Sequence, residues 1–357
     1  MSWLLAFAGF SFLIIAHEAG HMVAAKAVGM RVERFFLFFP PKLWSVKRGE
    51  TEYGIGAIPL GGFVKITGMN PDEELDPEVA PRGYYHQPVW KRIVVIGAGP
   101  LVNLLIAFVI LYFLAFQALD PDVSEVGDVQ RGSPAAQILQ QGDRLISVDG
   151  VTGDQNALRE QLASHTCAGD EQTQGCRAAE PAEIVVVRDG REVTVHATPE
   201  YDEEAARPLL GFTYAQERLD PGLAGAAGWS LDRMWEVTSQ TVGIVGRIFD
   251  AEQRKQISGV VGSYEVTRQS IEFDTRQALF VLALISLSLA VINMFPFLPL
   301  DGGHIFWSLV EKVRGRPVPF RVMERASVIG FALVLVLFVI GLTNDIDRLS
   351  GEGFNVR

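Results

Sequence analysis

Residues 12–30, "FLIIAHEAGHMVAAKAVGM", decide how the rest of the chain is read. The run has the composition of a membrane helix, yet His17, Glu18 and His21 sit at its centre. An ionisable side chain in hydrocarbon costs about 2.5–3.5 kcal/mol on insertion scales, so such groups mark function and need a partner that offsets the cost. The spacing names one. His17-Glu18-Ala19-Gly20-His21 matches H-E-x-x-H, and on a helix positions i and i+4 share a face, so both imidazoles can bind one zinc ion. Glu18 is turned about 100° from His17, near enough to contact a water on the metal without ligating it. Zinc lowers the pKa of that water towards 7, and Glu18 is the candidate catalytic base that takes its proton. The bland alternative is an accidental pattern on a surface helix; within a membrane span that accident would cost several kcal/mol.

The chain has 357 residues, 48% of them hydrophobic, and a net charge of −11. Four apolar stretches, near residues 3–27, 93–116, 278–300 and 327–342, have membrane-spanning length. The first lacks the basic n-region and polar mature start of a cleaved signal peptide. The expectation is a polytopic α-helical membrane protein with four transmembrane helices and a soluble insert between the second and third. Lys26, Arg31, Arg34, Lys91 and Arg92 flank the first loop, and Lys312, Arg314, Arg316, Arg321 and Arg325 fill the third. Lysine and arginine beside span ends favour the cytoplasm, which leaves the insert and both termini outside. Residues 117–277 hold 14 basic and 27 acidic residues and more than account for the net charge.

Four segments follow. Residues 1–119 carry the first two spans and a cytoplasmic loop, in which "TEYGIGAIPLGGFVKITG" alternates apolar and small residues like a β-hairpin. Residues 120–215 read as a small α+β domain. There "GSPAAQILQQGDRLISVDG" is turn, short helix, turn and strand, and "AEIVVVRDGREVTVHATP" is a hairpin turning at Asp189-Gly190. Residues 216–277 form a helical linker with Trp229, Met234 and Trp235 at helical spacing, lying on a membrane surface or packed on the small domain. Residues 278–357 hold the last two spans. Cys167 and Cys176, in "CAGDEQTQGC", fall in the outside insert, where a disulfide is permitted; bridge and free thiols both remain open.

A catalytic zinc takes three protein ligands and keeps a fourth position open. The other anion in an apolar stretch is Asp301, in "NMFPFLPLDGGH". Entering from outside, His17 lies roughly 21 Å along its helix at 1.5 Å per residue. Asp301 would lie ~35 Å along, shortened where Pro296 and Pro299 break the helix. Both reach the inner half of a ~30 Å core, so Asp301 is the expected third ligand rather than an interfacial cap. Asn293, earlier in the same stretch, can offer its amide to a substrate carbonyl or oxyanion, or make an interhelical bond. "GAGPLVNL" from Gly97 is better explained by close helix packing through small residues than as a nucleotide loop.

These residues resemble the site-2 proteases, intramembrane zinc metalloproteases, and are most similar to the bacterial regulator-of-sigma-E protease group. The resemblance rests on "HEAGH", "IPLGGFVKITG", "QPVWKRIVVIGAGPLVNL", "NMFPFLPLDGGH" and "RGRP"; the insert's "GSPAAQILQQGDRLISVDG" resembles a bacterial PDZ domain. It implies Zn2+ held by His17, His21 and Asp301, Glu18 as base, and Asn293 beside the scissile peptide. It also implies a membrane-associated β-hairpin in which Gly61, Gly62 and Phe63 grip an extended substrate. Leu210, Gly211 and Phe212 are similar to the loop by which PDZ domains receive a peptide carboxylate, and read equally well as a final strand. The implied setting is the bacterial cytoplasmic membrane, with the active site near its cytoplasmic side. Partners would be the lipid bilayer, single-pass membrane substrates such as anti-sigma factors or signal-peptide remnants, and a peptide on the PDZ domain; nothing points to nucleic acid. A non-catalytic PDZ scaffold is the alternative.

Overall fold

A computed structural model describes residues 1–70, 73–118, 124–169, 172–203, 205, 207–215, 220–246 and 259–350. Two compact units result: residues 1–114 with 223–357, and residues 115–222. In the first unit α1 (Ser2–Ala27), α2 (Val89–Ala115) and α6 (Thr275–Asn293) are long and apolar enough to cross a membrane. So is the greater part of α8 (Phe320–Ser350). Outward side chains stay uncovered: Val328, Ile329 and Phe331 of α8 are each more than half exposed, as suits hydrocarbon rather than water.

The first loop departs from the expected hairpin. Residues 51–68 do not fold on themselves; strand β2 (Thr51–Ile66) pairs with β1 (Val32–Arg48), a segment the sequence left unassigned. Residues 42–48 pair with 51–56 around the Gly49-Glu50 turn. Residues 34–37 meet both 62–65, as in Phe36 with Phe63, and 52–55, as in Phe36 with Gly54. Such bending demands small residues. A Cβ on Gly54 would lie 2.5 Å from the Phe36 ring, and one on Gly56 would lie 2.2 Å from the Phe39 carbonyl. Phe39, Leu43, Trp44, Ile55 and Ile58 stand exposed on this sheet. Of the acidic stretch after it, Pro71 and Asp72 lie outside the described residues.

The helix of the third apolar stretch ends at Asn293, three residues ahead of the first of the two prolines expected to break it. Residues 294–300, with Pro296 and Pro299, form a turn, and α7 (Asp301–Arg314) starts afresh. α7 is pressed onto that turn: Cβ atoms on Gly302 and Gly303 would meet the backbone of Met294 and Leu298 at 2.2 and 2.5 Å. Its far end is held to α2. Arg92, 2% exposed, gives two hydrogen bonds to the Glu311 carboxylate, at 2.9 and 2.6 Å. Helix α5 (Val260–Phe273) is capped from α8, where buried Asp345 accepts from the Gly259 and Gly262 amides at 3.0 and 2.7 Å. α5 also reaches α1: Ser2 donates to Glu272, and the Tyr264 hydroxyl donates to the Trp3 carbonyl. The linker helix α4 spans Gly222–Gly246 and includes Trp229, Met234 and Trp235; residues 247–258 of the expected linker are outside the described set.

The second unit has its own core, built from Val126, Leu139, Leu145, Val148, Leu158, Leu162, Ile184 and Val186. Strands β3 (Val126–Val129), β4 (Arg144–Val148) and β5 (Val151–Thr152) precede α3 (Gln155–Ala163). The sheet runs β5-β4-β6-β7, with β6 (Ala182–Arg188) and β7 (Arg191–Ala197) joined at Asp189-Gly190, both at positive φ as the turn requires. Arg188 donates to Asp143 at 2.6 Å and holds that carboxyl below the usual carboxylate range. Cys167 and Cys176 are joined, their Cα atoms 5.8 Å apart, within the range for a disulfide. β8 (Glu200–Asp202) pairs with β9 (Arg207–Leu209), and β10 (Phe212–Tyr214) with β3.

Arg92→Leu strands the Glu311 carboxylate and is expected to destabilise the first unit by about 3–5 kcal/mol, whereas Arg92→Leu with Glu311→Leu costs much less. Unfolding in detergent micelles by heat or denaturant compares the two; equal losses would contradict a buried, coupled pair.

Candidate metal centre

The buried residues of α1 are Ser2, Ala6, Leu13, His17, Gly20, His21 and Ala25, which recur at helical spacing and form one stripe. Facing that stripe is α2, brought close by glycines. A Cβ on Gly20 would lie 2.6 Å from the Ala98 carbonyl, and one on Gly99 would lie 2.3 Å from His21 Nε2 and 2.9 Å from His17 Nε2. Small residues are therefore required on both helices wherever the imidazoles stand. The third group arrives from α7, whose first residue is Asp301.

His17 Nε2, His21 Nε2 and Asp301 Oδ2 form a near-equilateral triangle. The carboxylate oxygen lies 3.1 Å from His17 and 3.3 Å from His21, and the two nitrogens are 3.2 Å apart. Nitrogen and oxygen ligands about 2.0–2.1 Å from zinc, set at the tetrahedral angle, stand about 3.3 Å from one another. One proton can satisfy a single edge of the triangle; one cation satisfies all three. The tautomer agrees. His21 Nδ1 lies 2.9 Å from the Val95 carbonyl, which can only accept, so Nδ1 carries the hydrogen and the neutral ring turns its Nε2 lone pair inward. Asp301 Oδ2 is buried without a hydrogen-bond donor. The donor set fits zinc, and it is the His/Cys/Asp/Glu cluster of metal-binding geometry found among the described residues.

Glu18 stands beside this triangle, against β2. The Val64 backbone amide faces its carboxylate, and a Cβ on Gly62 would come within 3.2 Å of Glu18 Cγ. Gly61 and Phe63 flank that contact. The Phe63 ring stacks on Phe36 and Phe39, with centroids 5.5 and 6.2 Å away. Asn293 is turned differently: its amide donates to the Leu289 carbonyl of its own helix at 3.0 Å. Asn103 of α2, which the sequence reading treated only as part of a packing motif, is fully buried with its side-chain Nδ2 3.3 Å from His17 Nδ1. The cost of an amide in hydrocarbon, the argument that singled out Asn293, would have found it as well.

In the second unit, Leu210 is buried and its carbonyl accepts from Ala135, while the Gly211 carbonyl accepts from Gln130. Phe212 opens strand β10. These residues border a groove of about 560 Å³ between β10 and α3, lined also by Arg159, Leu162 and Tyr214. Burial pushes the Tyr214 hydroxyl up to about 12.

The family model for peptidase family M50 matches residues 5–337. Zinc metalloprotease Rip1 of Mycobacterium tuberculosis is 31% identical, across 93% of this chain and 94% of Rip1. Proteins of Nostoc (30% identical, 99% of this chain and 98% of theirs) and Campylobacter jejuni (29%, 96% and 92%) carry provisional zinc-metalloprotease names. The chain belongs to peptidase family M50, the site-2 proteases. It is a multi-pass membrane protein and a zinc metalloprotease, with Zn2+ as its cofactor.

Gly99→Ala is expected to displace the imidazoles and leave the purified protein with a small fraction of its zinc. Gly97→Ala, at a position with nothing within 4 Å of the added carbon, is expected to keep a full complement. Elemental analysis of the two proteins checks this; equal zinc in both would show that the close approach does not matter.

Proposed function

We propose that His17, His21 and Asp301 hold the zinc and that Glu18 is the general base of an endopeptidase acting on transmembrane segments of single-pass membrane proteins. The observation that carries this reading is the 3.1–3.3 Å triangle of donors, two of them on a helix long and apolar enough to span a bilayer and the third just beyond the end of another. When bound, zinc supplies Lewis-acid activation of water, lowering its pKa towards 7. Glu18 takes the proton released by the attacking water and delivers it to the departing amide nitrogen. Asn293, the last residue of α6, is assigned to the substrate carbonyl, and engaging it requires the amide to leave Leu289.

A helical substrate hides its peptide bonds in i to i−4 hydrogen bonds, so cleavage needs an unwound, extended stretch whose backbone finds new partners. The β1–β2 sheet is assigned that task. Within Gly61-Gly62-Phe63, Gly62 lies against Glu18, and an edge there can accept a strand. The exposed Phe39, Leu43 and Trp44 suit a sheet that dips into lipid. This sheet and the zinc are assigned to the cytoplasmic side and the disulfide-bearing insert to the outside, a reading supported by the lysines and arginines beside the spans. The insert is read as a PDZ domain whose groove beside Leu210-Gly211-Phe212 takes a peptide end and so selects substrates. Signalling by regulated intramembrane proteolysis, in a bacterial inner membrane, is the proposed setting.

The test co-expresses the protein with a tagged single-span substrate. Glu18→Gln should retain zinc yet lower cleavage by about 10²–10⁴-fold, and a zinc chelator should abolish cleavage by the parent enzyme. Equal cleavage in all three conditions would end this reading.

A further inference from the structure

His21 and His17 are one turn apart on α1, and each presents its outer ring nitrogen to α2. His21 meets the Val95 carbonyl; His17 meets the side chain of Asn103, two turns further along. Asn103 is fully buried, its Nδ2 lies 3.3 Å from His17 Nδ1, and its Oδ1 has no hydrogen-bond partner. Its backbone is pinned as well, since the buried Ser286 hydroxyl of α6 donates to the Asn103 carbonyl at 2.9 Å.

The chemistry of a neutral imidazole selects between the two orientations of that amide. His17 Nε2 faces Asp301 and His21, so a cation there takes the Nε2 lone pair and the ring hydrogen must sit on Nδ1. An amide nitrogen cannot accept that hydrogen, but the amide oxygen can, and the two orientations have nearly the same outline. Turned by 180°, the orphaned acceptor becomes the partner of the imidazole N–H. We infer that Asn103 is a positioning residue: it accepts the Nδ1–H of His17 through Oδ1 and thereby sets the tautomer and ring plane in which His17 binds zinc. Ser286 holds Asn103 in place, so one chain of contacts runs from α1 through α2 to α6, the helix that leads to Asp301. This inference rests on the reading of His17 as a ligand.

The test measures zinc affinity of the full chain in detergent by competition with a chromophoric chelator, and the visible spectrum of the Co2+-substituted protein. Outer partners of metal-bound histidines are worth about 10–100-fold in affinity. Asn103→Leu, which keeps the bulk and removes the acceptor, is expected to weaken zinc by that factor and to lower and shift the Co2+ bands. Asn103→Asp keeps an acceptor oxygen and is expected to bind within a few-fold of the parent or more tightly. Undiminished affinity in Asn103→Leu overturns the inference. A loss of tenfold or more in Asn103→Asp also overturns it, and that arm decides the matter if the leucine variant fails to fold. A third variant, His17→Gln, separates the two readings: full zinc affinity there would remove His17 from the ligand set, whatever Asn103 does.

Discussion

His17 Nε2, His21 Nε2 and an Asp301 carboxylate oxygen stand within 3.3 Å of one another, and a single cation among them satisfies all three at once. Much else in the first unit serves to make that convergence geometrically possible. Imidazoles fit between α1 and α2 only because Gly99 offers no side chain, and α1 can come that close only because Gly20 offers none. The carboxylate arrives only because the third span stops short, turns through Phe295–Leu300 and restarts with Asp301 as the first residue of α7. Gly302 and Gly303 let that restart pack on the turn, and Arg92 locks the far end of α7 to α2.

That dependence explains what could be read in advance. H-E-x-x-H and Asp301 were legible because a charge inside a span is costly enough to need a reason. Proline at 296 and 299 was legible as a helix break, though not as the boundary between two helices. The β1 segment was not legible. "VERFFLFFPPKLWSVKR" has no period-two alternation and contains a proline pair, because a strand folded over so that both its edges are used lacks the single solvated face that produces alternation. A reader looking for a hairpin accordingly finds only its glycine-rich half and folds that half on itself.

Asn103 was hidden for another reason. "GAGPLVNL" was sufficiently explained by small-residue packing, and the glycines do pack as that motif suggests. One explanation for a motif does not exhaust its residues. Gly99 makes room for the imidazole, while Asn103, one turn on, stands at hydrogen-bond range of it. Packing and polar recognition are interleaved on a single helix face, which is both narrow and polar where it meets His17 and His21. In the insert, by contrast, the Asp189-Gly190 hairpin follows local turn chemistry, so its reading from sequence needed no tertiary knowledge, while the Gln155–Ala163 helix, capped by Asp154, was not read in advance.

The position of β2 against Glu18 carries a consequence for how cleavage would be confined to unwound chains. The Val64 amide faces the Glu18 carboxylate, and a Cβ on Gly62 would come within 3.2 Å of the same side chain. On the proposed reading, an extended segment added along this sheet therefore lies within reach of the base, and its register on β2 sets which peptide bond meets the zinc. A helical segment makes no such backbone pairing and gains nothing from the sheet edge. The sheet then contributes to selectivity through backbone hydrogen bonds alone, which read extension rather than side-chain identity. On the same proposed reading, choice among sequences falls to the groove beside β10 in the insert, with Arg159 and Tyr214 on its wall.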